Sequence, residues 1–147
     1  MKIKRIYLVI LIGFIIMTQG ACGKLAKTEA RKYIEINEVV KEVFLTDKGF
    51  SDELAKHVTK EVFNKTNIYN AYPVNSTEYK KPFSVDFSLA EISQKKANDI
   101  LKVEMIYSVV IADYNRKIVG GSRDVTITFT VQMVDDGWII IDKEERP

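Results

Sequence analysis

The chain has 147 residues, 46% of them hydrophobic and 29% charged, with one Cys, three Pro and seven Gly. That is room for one domain, and it excludes a disordered tail and an internal disulfide scaffold. Lys2, Lys4 and Arg5 lie among the first 21 residues, which hold no acid, so 19 bases face 20 acids from Cys22 onward and the formal charge of +2 becomes −1. The basicity belongs to the leader and is no footprint of nucleic-acid binding.

After the basic start, Ile6 to Met17 form twelve apolar residues, followed by Thr18, Gln19, Gly20, Ala21 and Cys22. Basic, apolar and small-residue regions in that order are the anatomy of an export signal. As a helix the apolar run would rise about 18 Å against about 30 Å of hydrocarbon, so a retained signal anchor is the second choice. Gly20-Ala21-Cys22 resembles the lipobox of bacterial lipoproteins, with Gln19 standing where that family has an aliphatic residue. The resemblance implies a lipid on the Cys22 thiol and a protein held on the extracytoplasmic face of the cell membrane. An ordinary signal-peptidase cut at Ala21 is the alternative. A free thiol is a liability in an exported protein, whereas a Cys directly after two small residues has a defined chemical use. The predicted organisation is a signal peptide over 1–21, a lipidated cysteine and tether under about 20 Å over 22–27, and one domain over 28–147.

In the domain, Thr28 is placed to cap a helix with Tyr33, Ile36, Val40, Val43 and Phe44 on one face up to Leu45. Thr46-Asp47-Lys48-Gly49 breaks it. Ser51 then starts a second helix with Leu54, Val58, Val62 and Phe63 on one side, and residues 64–79 read as loop. Asn64-Lys65-Thr66 and Asn75-Ser76-Thr77 fit the glycosylation pattern, read as chance behind a bacterial-looking leader.

From Pro82 the period changes to two. Phe83, Val85, Phe87 and Leu89 alternate with Ser84, Asp86 and Ser88. A turn around Ala97-Asn98-Asp99 leads into a strand from Ile100 to about Asp113. Between Asp124 and Val134 Val125, Ile127, Phe129, Val131 and Met133 oppose Thr126, Thr128, Thr130 and Gln132, and Asp135-Asp136-Gly137 turns the chain into a last strand, Trp138 to Asp142. The fold class is α+β: two N-terminal helices on a curved four-stranded antiparallel sheet. This order, ending in Gly137-Trp138, resembles the NTF2-like, cystatin-like superfamily. The resemblance implies a cone of bent sheet around the first helix, with a cavity that members use for ligands, catalysis, dimerisation or nothing.

Little in the chain reads as chemistry. Asp86, Lys102 and Glu104 fall on the outward parity, so no acid is predicted in an apolar pocket where general acid–base work would need one. His57, the only histidine, reads as a solvated or hydrogen-bonded helix residue, far below the ligand count for zinc. Gly120-Gly121-Ser122 lacks the nucleophile-elbow frame and reads as a long turn before the Asp124 strand. No cofactor, metal or catalytic residue is predicted.

One strand asks for more. From Ile100 to Ala112 both parities are apolar, with Ile106 and Val110 on the side away from the helices, beside the Thr126, Thr128 and Thr130 stripe. The leading expectation is therefore a non-enzymatic, lipid-anchored domain that binds an envelope protein or itself through these five residues; the NTF2-like resemblance implies a narrower version, a part of a conjugation or secretion machine. The alternative is a carrier or sensor of a small apolar ligand in a cavity lined by Tyr33, Tyr107 and Phe129.

Overall fold

The computed structural model describes residues 32–72, 74 and 76–146, so the leader, Cys22, the tether and the predicted Thr28 cap lie outside the described residues. Residues 32–36 precede the first helix as non-helical chain, where the periodicity predicted helix. The cause is Gln94, whose Nε2 donates to the Ile34 carbonyl at 2.7 Å while its Oε1 accepts from the Tyr33 and Ile34 N–H groups at 2.8 and 3.1 Å. Those backbone groups are satisfied by a side chain, and a helix would have to break the bonds. Helix α1 then runs Asn37–Leu45 and buries Val40, Val43 and Phe44, with Ile36 buried just before it.

The predicted second helix is two. Helix α2 spans Asp52–Ala55, with the Leu54 N–H donating to Ser51 Oγ, and α3 spans Lys60–Thr66, with the Val62 N–H donating to Thr59 Oγ1. Between them the backbone bridges the last strand: the Ile140 N–H donates to the His57 carbonyl at 2.8 Å and the Thr59 N–H to the Ile140 carbonyl at 3.0 Å. Bonds to a sheet edge, together with a Thr cap restarting the helix, outcompete one continuous helix. A short α4, Ile68–Ala71, occupies part of the predicted loop. Asn67, buried before it, donates through Nδ2 to the carbonyls of Val43 and Thr46 at 2.9 and 2.8 Å, which satisfies the open end of α1.

The sheet is an antiparallel meander in the order β1 (Ser84–Ala97), β2 (Ile100–Ala112), β3 (Ile118–Val134) and β4 (Gly137–Arg146). The class is α+β, short N-terminal helices packed on a four-stranded antiparallel sheet. Two-residue loops join β1 to β2 at Asn98-Asp99, with Asn98 at a left-handed φ of 54°, and β3 to β4 at Asp135-Asp136. β3 begins six residues before the predicted Asp124 start, and Gly120 and Gly121 lie inside it, not in a turn. A Cβ on Gly120 would stand 2.6 Å from Tyr72 Cδ1, and one on Gly121 2.6 Å from the Val109 carbonyl oxygen. The glycines serve close approach.

Leu101, Val103, Met105, Val109, Ile111, Ile127, Phe129 and Val131 are at most 1% exposed on the helix side of the sheet, and with Ile36, Val43 and Val58 they make one core. Each is worth about 1.5–3 kcal/mol if fully withdrawn from water. Phe44 joins the layers, its ring 5.1 Å from that of Phe87 and 4.8 Å from that of Tyr107. Three register shifts fall in the central and last strands: at Tyr107/Val109, at Ile111/Ala112 and, between β3 and β4, at Thr130/Val131.

Candidate functional site

The outer face of the sheet is built as rows that cross all the strands. Ala90, Ile106, Thr126 and Arg146 are paired in sequence across it, as are Ser93, Glu104, Thr128 and Glu144, and Lys95, Lys102, Thr130 and Asp142. Farther along, Val110 lies between Asp86 and Gly121. Ile106, Val110, Thr126, Thr128 and Thr130 are thus brought together on one face, all partly exposed. The apolar part is narrow. β2 is apolar on both parities, as is the start of β4 from Trp138 to Ile141, but hydroxyls and charges interrupt the face: Lys102 Nζ donates to Thr130 Oγ1 at 2.6 Å and Ser93 Oγ to Glu104 Oε2 at 3.3 Å.

The three predicted cavity residues differ in burial. Phe129 is 1% and Tyr107 4% exposed within the helix–sheet packing, whereas Tyr33 is 42% exposed on the segment that Gln94 holds.

Two charged residues that the sequence reading placed nowhere lie on the inner parity. In β4, Ile140 pairs with Val131 but Asp142 with Thr130, so Ile141 is an extra residue and the faces exchange beyond it. Lys143 therefore stands opposite Phe129 and Glu145 opposite Ile127, and the two form an ion pair at 2.5 Å with the Lys143 side chain only 13% exposed. Burial first, and then the negative charge of Glu145, push the Tyr107 phenol above its ordinary range. Nearby, Tyr72 and Ser122 share a hydroxyl hydrogen bond of 2.7 Å, with the Tyr72 ring seated on Gly120. Alternation alone carries no sign of the bulge, and the predicted strand ended at Asp142 before these positions.

His57 lies in the link between α2 and α3, half-buried, with its ring 4.7 Å from that of Trp138 and its Nδ1 buried without a hydrogen-bond partner. Among the described residues no group of three His, Cys, Asp or Glu side chains is placed to hold a metal ion, and no helix is long and apolar enough to cross a membrane.

An open cleft of about 1040 Å³ lies between the end of α1, helices α3 and α4 and the segment entering β1. Phe50 and Phe63, with rings 5.3 Å apart, form part of its wall, and Lys60, Asn64, Asn70 and Lys81 line it as exposed polar groups. The sequence reading did not find it, because its residues come from four segments without a common spacing.

No protein-family model matches the chain, and no curated protein or solved structure matches it either.

Proposed function

We propose that the chain is a lipid-anchored, extracytoplasmic, non-catalytic domain that docks through the outer face of its sheet onto an envelope protein or a second copy of itself. A cone of the NTF2-like or cystatin-like type and a place in a conjugation or secretion machine belong to the same reading. The observation that carries it is the position of Ile106 and Val110: on the face turned from the helices, partly open to solvent, and bordered by hydroxyl-bearing and charged side chains. An apolar centre inside a polar rim is the usual build of a specific interface. The anchoring half of the proposal rests on the leader and Cys22. The carrier alternative has less support, since Tyr107 and Phe129 are buried in the core and Tyr33 is exposed.

The test is crosslinking in living cells from a photoreactive residue at Val110, with the same residue at the exposed helix position Lys41 as control. A discrete adduct from position 110 alone, abolished by Ile106→Lys, is expected. Equal labelling from both positions, or none from 110, overturns docking through this face.

A further inference from the structure

We propose that the cleft beside α3 and α4 binds an anionic carbohydrate. The proposal is independent of docking through the outer sheet face, because the cleft lies among the helices. Its volume of about 1040 Å³ is just above the roughly 300–1,000 Å³ typical of small-molecule sites.

The chemistry of its walls selects the ligand class. Lys60 and Lys81 are exposed and neither has an ion-pair partner among the described residues, unlike Lys56 and Lys65, which pair with Glu53 and Glu61. Two uncommitted ammonium groups around one concavity suit a carboxylate, sulfate or phosphate. Asn64 and Asn70 line the same space with side-chain amides that make no hydrogen bond among the described residues. An amide both donates and accepts, which matches the hydroxyl groups of a sugar, themselves donors and acceptors. Phe50, half-buried and backed by the buried Phe63 ring, offers an apolar surface for the C–H face of a sugar ring. Asp47, also lining the cleft, accepts from hydroxyls but opposes a run of closely spaced phosphates, and two cations are few for a nucleic-acid backbone. An acidic peptide would use the lysines and leave Asp47 and the amide oxygens facing its own carboxylates and carbonyls. Asn67 keeps the floor in place, since its amide is committed to the end of α1 and to the Tyr69 N–H.

The test uses the full-length, ¹⁵N-labelled chain in detergent micelles. It is titrated with a uronate oligosaccharide, a sulfated oligosaccharide and a hexose phosphate, with a neutral dextran oligosaccharide and oligoglutamate as comparisons. Saturable shifts of the Asn64 and Asn70 side-chain amides are expected with at least one anionic sugar and not with dextran. The affinity should be about tenfold weaker in Lys60→Glu or Lys81→Glu. Both lysines are exposed, and an unchanged Ile127 amide signal shows that the variants keep the fold. No shift with any of the three sugars overturns the proposal. Equal affinity for oligoglutamate, or variants that bind as the parent does, overturns it as well.

Discussion

Asp113 organises the turn between β2 and β3 with one carboxylate. Its Oδ1 accepts from the Asn115 and Lys117 N–H groups, both at 2.9 Å, and its Oδ2 from the Lys80 N–H at 3.4 Å. Burial alone would raise its pKa, but the backbone donors of Lys117, Lys80 and Asn115 outweigh it and hold the carboxyl below its ordinary 3.8. A carboxylate whose folded value is depressed stabilises the fold above the unfolded value, and that contribution is lost as pH falls through the lowered one. Urea midpoints measured downward from pH 5 should therefore fall below about pH 4 in the parent and fall less steeply in Asp113→Asn, which has no charge to lose. Parallel curves for the two proteins would show that the turn does not depend on the ionised form. In the sequence Asp113 read only as the approximate end of a strand, because its partners are backbone groups up to 33 residues away, which leave no mark in a residue pattern.

At the scale of elements, side-chain alternation was a good guide where a strand has one wet and one dry face. The 13 residues of β2 and the Val125-to-Met133 alternation lie as read, because a period of two fixes which side chains enter the core. It failed where a single contact overrules the local pattern. The bulge at Ile141 reverses the faces of β4 and brings Lys143 and Glu145 inward, and the Val58 bridge divides a helix whose apolar spacing is continuous. Gln94 is the clearest case: a polar residue 7% exposed that holds residues 33 and 34 by three hydrogen bonds and also donates to Glu91 at 3.0 Å. Gln94→Ala should lower the unfolding free energy by about 1–3 kcal/mol, the cost of leaving buried polar groups unpaired. Amide exchange should accelerate most at Tyr33 and Ile34. If those two amides exchange no faster than the global change requires, the segment is held by something other than Gln94. The candidate surfaces divide in the same way. The outer-face residues were legible from one strand's composition, whereas the cleft is assembled by the ends of α1, α3, α4 and β1 and has no linear signature.

The entry point of the chain gives the whole molecule an orientation under the proposed anchoring. Residues 33 and 34 are fastened to Gln94, near the β1–β2 turn, where Lys95, Lys96 and Lys102 are exposed. The ten residues from Cys22 to Lys32 reach at most about 35 Å. Along β1 the opposite end, at Ser84 paired with Ala112, is ten residues from Gln94, roughly 33 Å if the strand is straight, and the β2–β3 turn with its exposed Asn115 lies beyond it. A lipid on Cys22 enters the domain at the lysine-bearing end, and attraction of those lysines to anionic headgroups favours that end facing the bilayer. Thioether attachment of the lipid to the chain's one thiol leaves an introduced cysteine as the sole site for a fluorophore, so labels can be placed at Lys96→Cys and Asn115→Cys in the lipidated protein. In vesicles with headgroup-attached quenchers the label at 96 should be quenched more strongly than the label at 115, and added salt should narrow the difference. Equal quenching at the two positions would mean that the domain tumbles freely on its tether, and stronger quenching at 115 would reverse the orientation. Cys22→Ser should abolish quenching at both positions; quenching that survives that substitution would assign the membrane attachment to a retained apolar leader.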